Sequence, residues 1–249
     1  MTSEKEGRIV SEGMSLHLPG VHASPNIQEA PHLFEVENAA TDPEGRLWAA
    51  MEAIAPWDDR VILDIGAGTG YHLARFHARA GHVLAVEPHD RSRLLAMDRV
   101  ARLDLARTSV MTGSAERLLL PDASVDIAHA RFAYFFAPLC EPGLAELARV
   151  IRPGGSAFII DNDLRAGTFA SWLRRSPWLP TADANAVEGF WAAHGFALTR
   201  VTSAWRFARR EELEAVVRNN FPPDLADDIV AEHRGTTVDY HFCLYHRRY

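Results

Sequence analysis

From residue 61 onward, short apolar runs alternate with stretches whose apolar residues recur every three or four positions. The runs are VILDI (61–65), HVLAVE (82–87), SVMTG (109–113), VDIAHA (125–130) and SAFIID (156–161). Runs this short and this uniformly apolar predict strands buried on both faces, as in a parallel sheet. The stretches between them predict amphipathic helices. YHLARFHARAG turns Leu73, Phe76 and Ala80 inward, RSRLLAMDRVARLD turns Leu94, Met97 and Ala101, and PGLAELARVIR turns Leu144, Leu147 and Ile151. Such alternation gives an α/β fold with helices on both faces of the sheet and right-handed crossovers. Past residue 190, FALTRVTSAWRF and TVDYHFCLYHRRY read as longer strands of period two, separated by helices over REELEAVVRNNF and DLADDIVAEH. The sheet therefore ends in a late strand pair with one strand antiparallel.

Residues 1–42 differ from this pattern. They are polar, carry Pro19, Pro25 and Pro31, and show no sustained period. They are expected to form a partly disordered extension and a candidate lid, with the segment near HLFEVENAA docking on the body. Residues 43–249 form the main domain. Its first helix lies in EGRLWAAMEAIAPW, with Leu47, Trp48, Met51 and Ile54 on one face and Pro56 ending it.

Charge and composition narrow the function. The 26 Lys and Arg are outnumbered by 33 Asp and Glu, which argues against a surface that tracks nucleic-acid phosphates. The two cysteines, Cys140 and Cys243, are far apart and form no CxxC, so neither a disulfide framework nor a cysteine zinc site is expected. No HExxH pair occurs among the 12 histidines, and metal binding has no support in the sequence. The N-terminus lacks a basic-then-apolar signal pattern, and no apolar stretch reaches membrane-spanning length. A soluble cytoplasmic protein is expected.

The chemistry gathers at VILDIGAGTGYH. Gly66, Gly68 and Gly70 follow the first core strand at the carboxyl edge of the sheet, where ligands of open α/β sheets sit. Glycine there permits positive φ and close approach of a ligand to the backbone. A dinucleotide would need GxGxxG, but Tyr71 stands where its third glycine belongs. Asp64 is a poor neighbour for a diphosphate and a good one for a cation. Glu87, closing the second strand, can accept both hydroxyls of a ribose. A positively charged nucleoside ligand without a diphosphate fits best.

At this point the sequence resembles a known family. VILDIGAGTG, Glu87, GSAERLLLPDASVDIAHARF and RVIRPGG are similar to the successive motifs of class I S-adenosylmethionine-dependent methyltransferases, of the small-molecule (type 11) kind. The resemblance is strong over residues 44–161. It implies a Rossmann-like α/β fold, a seven-stranded, mostly parallel sheet whose last strand is antiparallel. S-adenosylmethionine would be the cofactor and a small molecule, through O or N, the methyl acceptor. It implies that Gly66, Ala67 and Gly68 line the methionine portion, together with Gly70 in the same turn, and that Asp64 lies near the ammonium. Glu87 would hold the ribose and Pro88 would pack on the adenine. Ser114, Ala115 and Glu116 would sit at the adenine edge, and Ala130 and Arg131 would face the methionine part and the transfer site.

Methyl transfer needs alignment and exclusion of water more than side-chain chemistry, although a base helps a hydroxyl or amine acceptor lose its proton. His129, His72, His89 and His32 are the candidate bases. His129 comes first because its strand leads to the acceptor side, but within an apolar strand a structural imidazole is the commoner role. His72 reads equally as a surface residue. Arg131 is open to three roles: binding an acceptor carboxylate, binding the cofactor carboxylate, or making a structural ion pair. The run RFAYFF (131–136) lines a pocket or packs a junction, and RPGG (152–155) is a turn into the fifth strand. Trp172, Trp178 and Trp191 are expected to roof the acceptor pocket. Two other functions compete: a nicotinamide-dependent oxidoreductase on a similar sheet, and a non-catalytic protein that keeps the cofactor pocket.

Overall fold

The computed structural model describes residues 25–134, 139–177 and 183–249. In chain order the elements are α1 (Pro25–Gln28), α2 (Pro31–Ala40), α3 (Arg46–Ile54), β1 (Val61–Ile65), α4 (Leu73–His77), β2 (His82–Val86), α5 (Asp90–Arg102), β3 (Thr108–Met111) and β4 (Val125–Arg131). They continue with α6 (Glu141–Val150), β5 (Ile151–Asn162), α7 (Thr168–Arg175), α8 (Ala184–Ala193), β6 (Ala197–Arg206), α9 (Arg210–Asn220), α10 (Pro223–Glu232) and β7 (Thr237–Arg248).

The strands form one seven-stranded sheet in the order β3-β2-β1-β4-β5-β7-β6. β1 pairs in parallel with β2 and β4, and β7 pairs antiparallel with both β5 and β6. The last strand therefore runs against its neighbours, as expected, and it lies between β5 and β6 rather than at the edge. The order reverses at β1 and β4, which opens a crevice at their carboxyl ends.

Two apolar layers flank the sheet. One holds Ile62, Phe76, Phe158, Trp205 and Phe242, the other Leu63, Ala128, Leu147, Ile159 and Tyr245. Alternation along each strand sends neighbouring residues to opposite layers. Burying side chains such as Phe158 and Phe242 fully contributes about 1.5–3 kcal/mol each.

Leu73, Phe76 and Ala80 are buried as the helical period predicts, and so are Leu144, Leu147 and Ile151. Helix α5 departs from the expectation. Leu94 is 63% and Met97 48% exposed, and Ala101 is exposed too, whereas Ser92 and Ala96 are buried. The helix packs through its small residues because it lies close against the glycine turn: a Cβ on Gly70 would sit 3.1 Å from the Ala96 Cβ. On α3, Leu47, Trp48 and Met51 are buried but Ile54, in the last turn, is 38% exposed.

The RPGG segment is part of β5 rather than a turn before it. The irregularity falls in the pairing with β4, where the register shifts between Val125 and Ile127. Trp172 and Trp191 are core residues on opposite sides of the sheet; Trp172 packs on Phe221, and Trp191 stacks on Tyr245. Trp178, Phe135 and Phe136 lie outside the described residues, as does the expected disorder of residues 1–24. No helix among the described residues is long and apolar enough to cross a membrane.

The described part of the N-terminal extension is helical and docked. Asp42 anchors it: its carboxylate accepts the Arg46 and Leu47 backbone N–H groups, both at 3.0 Å, and the Ser203 hydroxyl at 2.7 Å. This caps α3 from outside and ties the end of α2 to β6.

Candidate active site

β1 ends at Ile65, and the chain turns through Gly66, Gly68 and Gly70 at φ values of 70°, 57° and 75°. These are left-handed conformations that a side chain disfavours. The turn is fixed to the end of β2, because the Gly66 and Ala67 N–H groups both donate to the Val86 carbonyl, at 2.8 and 3.1 Å. The three glycines have different neighbours. A Cβ on Gly66 would meet the Ala133 Cβ at 2.8 Å, and one on Gly70 the Leu73 Cδ1 at 2.9 Å. On Gly68 the nearest atom would be Cε1 of Phe34, at 3.5 Å. The outer two permit close packing of the chain on itself, while the middle one is buried beneath Phe34, with no other atom within 4 Å of a Cβ there.

Glu87 follows immediately on β2 and turns back toward this backbone. One carboxylate oxygen accepts the Gly68 N–H at 2.8 Å and the other the His89 N–H at 2.9 Å. Burial pushes its carboxyl group upward, while the two amide hydrogen bonds and Arg93 pull it down. Each oxygen keeps further acceptor capacity, so the fixed carboxylate can still take hydroxyl groups. Beside it, Pro88 is half-buried, and His89 is a helix cap whose ring accepts the Ser92 N–H at 3.4 Å. Past β3, Ser114 forms an isolated bridge with Arg117, and its buried hydroxyl has no partner. Ala115 and Glu116 are half-buried next to it.

Asp64 and His129 are opposite one another in the β1–β4 register, with Asp64 Oδ1 2.7 Å from His129 Nδ1. His129 is only 1% exposed, stacked on Trp48 and edge-on to Phe76, and its buried Nε2 has no partner. Asp64 thus holds a histidine inside the protein. In this packing the His129 ring lies beneath the site surface.

Two residues further along β4, the Arg131 guanidinium lies between the rings of Phe132 and Phe242, and its Nη1 is 2.5 Å from His72 Nε2. His72 is not the surface residue one sequence reading allowed. Burial, then the Arg131 charge, hold its pKa well below the ordinary imidazole value, so it stands neutral and accepts the Arg131 N–H. Among the described residues, Arg131 makes no ion pair with Asp or Glu, and its buried Nε has no partner. Phe132 has φ of 54°, an uncommon conformation for an aromatic residue. Ala130 is buried in the opposite layer, and its side chain faces away from Arg131. His32 is exposed on α2.

Helix α2 covers the turn. Phe34 faces Gly68, Glu35 bonds to Thr69 and Arg99, and the Glu37 carboxylate accepts from Asn220 Nδ2 at 2.9 Å. Burial raises the pKa of Glu37, with Asn220 and the Arg131 charge acting against it. Sequence reasoning placed a docking segment here but missed these three residues, since only tertiary structure shows which face of a short helix meets the turn. Among the described residues no group of three His, Cys, Asp or Glu side chains is placed to hold a metal ion.

The residues suit S-adenosylmethionine on structural grounds. A backbone free of side chains at Gly68, a fixed acceptor at Glu87 and an unpartnered Ser114 hydroxyl follow the successive strands β1, β2 and β3. Comparisons with known proteins agree. A family model described as a methyltransferase domain matches residues 62–155. An uncharacterized methyltransferase of Mycobacterium tuberculosis is 30% identical over 184 residues, 73% of this chain and 68% of that protein. A malonyl-[acyl-carrier protein] O-methyltransferase of Serratia marcescens is 29% identical over 65% of this chain and 58% of its own length. Among solved structures, a SAM-dependent methyltransferase of Aquifex aeolicus covers 90% of this chain and 98% of its own, with TM-score 0.58 and 16% identity. At that identity the likeness is one of fold.

Proposed function

The chain belongs to the class I S-adenosylmethionine-dependent methyltransferases, and from that premise we propose that it methylates an oxygen or nitrogen atom of a small molecule. The bound cofactor supplies an electrophilic methyl group on a sulfonium. Glu87 holds the ribose at the adenosine end, Ser114 offers its hydroxyl at the base, and the turn through Gly66, Ala67 and Gly68 lines the methionine portion. The line of site residues along the sheet edge leads from β3 through β2 and β1 to β4, so the methyl group is delivered beside Arg131 and Phe132. Helix α2 closes over the turn through Phe34 and Glu35 and keeps water out. Rate enhancement comes from alignment in this closed site.

A heteroatom acceptor suits the histidines present. His129 is sealed beneath the site between Trp48 and Phe76, and His72 accepts from Arg131, so neither is placed to draw a proton from carbon. Oxygen and nitrogen nucleophiles need less help from a base. The single observation that carries the proposal is the Glu87 carboxylate fixed between the Gly68 and His89 amides at the head of the open turn. Incubation with methyl-labelled S-adenosylmethionine and a small-molecule extract tests it. A low-mass product gaining about 14 Da, the mass of one CH₂, is expected; label appearing only in macromolecules contradicts it.

A further inference from the structure

The three readings of Arg131 can be separated by its surroundings. A structural ion pair requires a carboxylate partner, and among the described residues Arg131 has none. The side chain it does touch, His72, is neutral and accepts a hydrogen bond without cancelling the charge. Glu37, Asp42 and Asp64 favour its charge from a distance, but none of them bonds to it, so the buried guanidinium keeps an unpartnered Nε that a ligand can take. Position then decides which ligand. The cofactor cradle runs from Ser114 at β3 to the turn after β1, whereas Arg131 ends β4 and faces Phe242 of β7, on the far side of β1. It lies beyond the methionine end, where the acceptor comes in.

Building on the methyltransferase reading, we propose that Arg131 is the anchor for a carboxylate carried by the methyl acceptor, with the apolar part of that acceptor lying against the half-buried Phe132. The planar guanidinium can give two parallel N–H bonds to a carboxylate, which sets orientation as well as affinity. The half-buried Phe132 ring beside the guanidinium matches an apolar frame next to the acid group, while Phe242 backs the guanidinium from the core. The left-handed Phe132 holds its ring beside the guanidinium.

The probes are phenylacetate and its uncharged counterpart phenylacetamide, titrated into protein saturated with S-adenosylhomocysteine, for the wild type, Arg131→Gln and Arg131→Lys. Phenylacetate is expected to bind the wild type at least tenfold more tightly than the amide, an advantage that Arg131→Gln abolishes and Arg131→Lys partly keeps. S-adenosylhomocysteine affinity should stay within about threefold in Arg131→Lys, which also serves as the folded control. Equal binding of acid and amide, no binding of either, or a loss of S-adenosylhomocysteine affinity in Arg131→Lys as large as the loss of phenylacetate would overturn the proposal. Failure of the wild type to bind S-adenosylhomocysteine would instead refute the cofactor reading on which it rests.

Discussion

His129 and Asp64 face one another across β4 and β1, Nδ1 to Oδ1 at 2.7 Å, and the remaining ring nitrogen of His129 is buried without a partner. A histidine sealed between Trp48 and Phe76 is suited to fixing two strands at the crevice. Removing its one partner leaves both nitrogens unsatisfied, which costs about 1–3 kcal/mol. Asp64→Ala should lower the free energy of urea unfolding by that amount. Unchanged stability would show that the pair contributes nothing to the fold.

The glycines should separate by role. In Gly70→Ala the new methyl meets Leu73 and Ala96 at positive φ, so about 1–3 kcal/mol of stability should be lost. Gly68→Val meets less crowding, only Phe34 lying near a Cβ, but carries the positive-φ strain of a β-branched residue, so it should lose about 1–3 kcal/mol of stability, remain folded, and lose cofactor binding altogether. Thermal unfolding and S-adenosylhomocysteine titration of the two variants check this. A Gly68→Val protein that binds normally would undo the assignment of the middle glycine.

Asp161 gives a pH signature. Burial raises its pKa from the ordinary 3.8 to about 7, against the pull of the Asn162 N–H. The folded protein therefore binds a proton that the unfolded chain has released, so this contribution is full below about pH 4 and is lost as pH rises through about 7. Asp161→Asn should remove that decline, and its stability relative to wild type should improve from pH 5 to pH 8. Urea unfolding across that range checks the sign; a relative stability that falls with pH would be the wrong one.

Helix α2 is held over the turn by Glu35, through Thr69 and Arg99. Glu35→Ala should loosen it, raising amide hydrogen exchange across residues 31–40 and speeding release of S-adenosylhomocysteine, with the body unaffected. Exchange that rises equally in β4 and β5 would mean that the ion pair stabilises the whole fold instead.

The strands were legible because each is an apolar run with a carboxyl-end signal: Val61–Ile65 leads into Gly66 and His82–Val86 into Glu87. Periodicity found the helices but misjudged α5, since the hydrophobic pattern favoured Leu94 and Met97 while close approach to the turn selected Ser92 and Ala96. Aromatic content suggested a pocket roof at Trp172 and Trp191, whereas large rings here serve the two core layers. The glycine turn and Glu87 were visible as local motifs. Phe34, Glu35 and the contact of Arg131 with His72 join segments 34 to 64 residues apart, and no local pattern marks such pairs.

The most direct measurement is a calorimetric titration of the wild type and Glu87→Ala with S-adenosylmethionine, and of the wild type with NADH. The fixed carboxylate predicts one cofactor per chain and a loss of about 1.5–3 kcal/mol in binding on removing Glu87, and Tyr71 in place of the third glycine predicts no NADH binding. NADH binding, or S-adenosylmethionine binding that is indifferent to Glu87, would contradict the account.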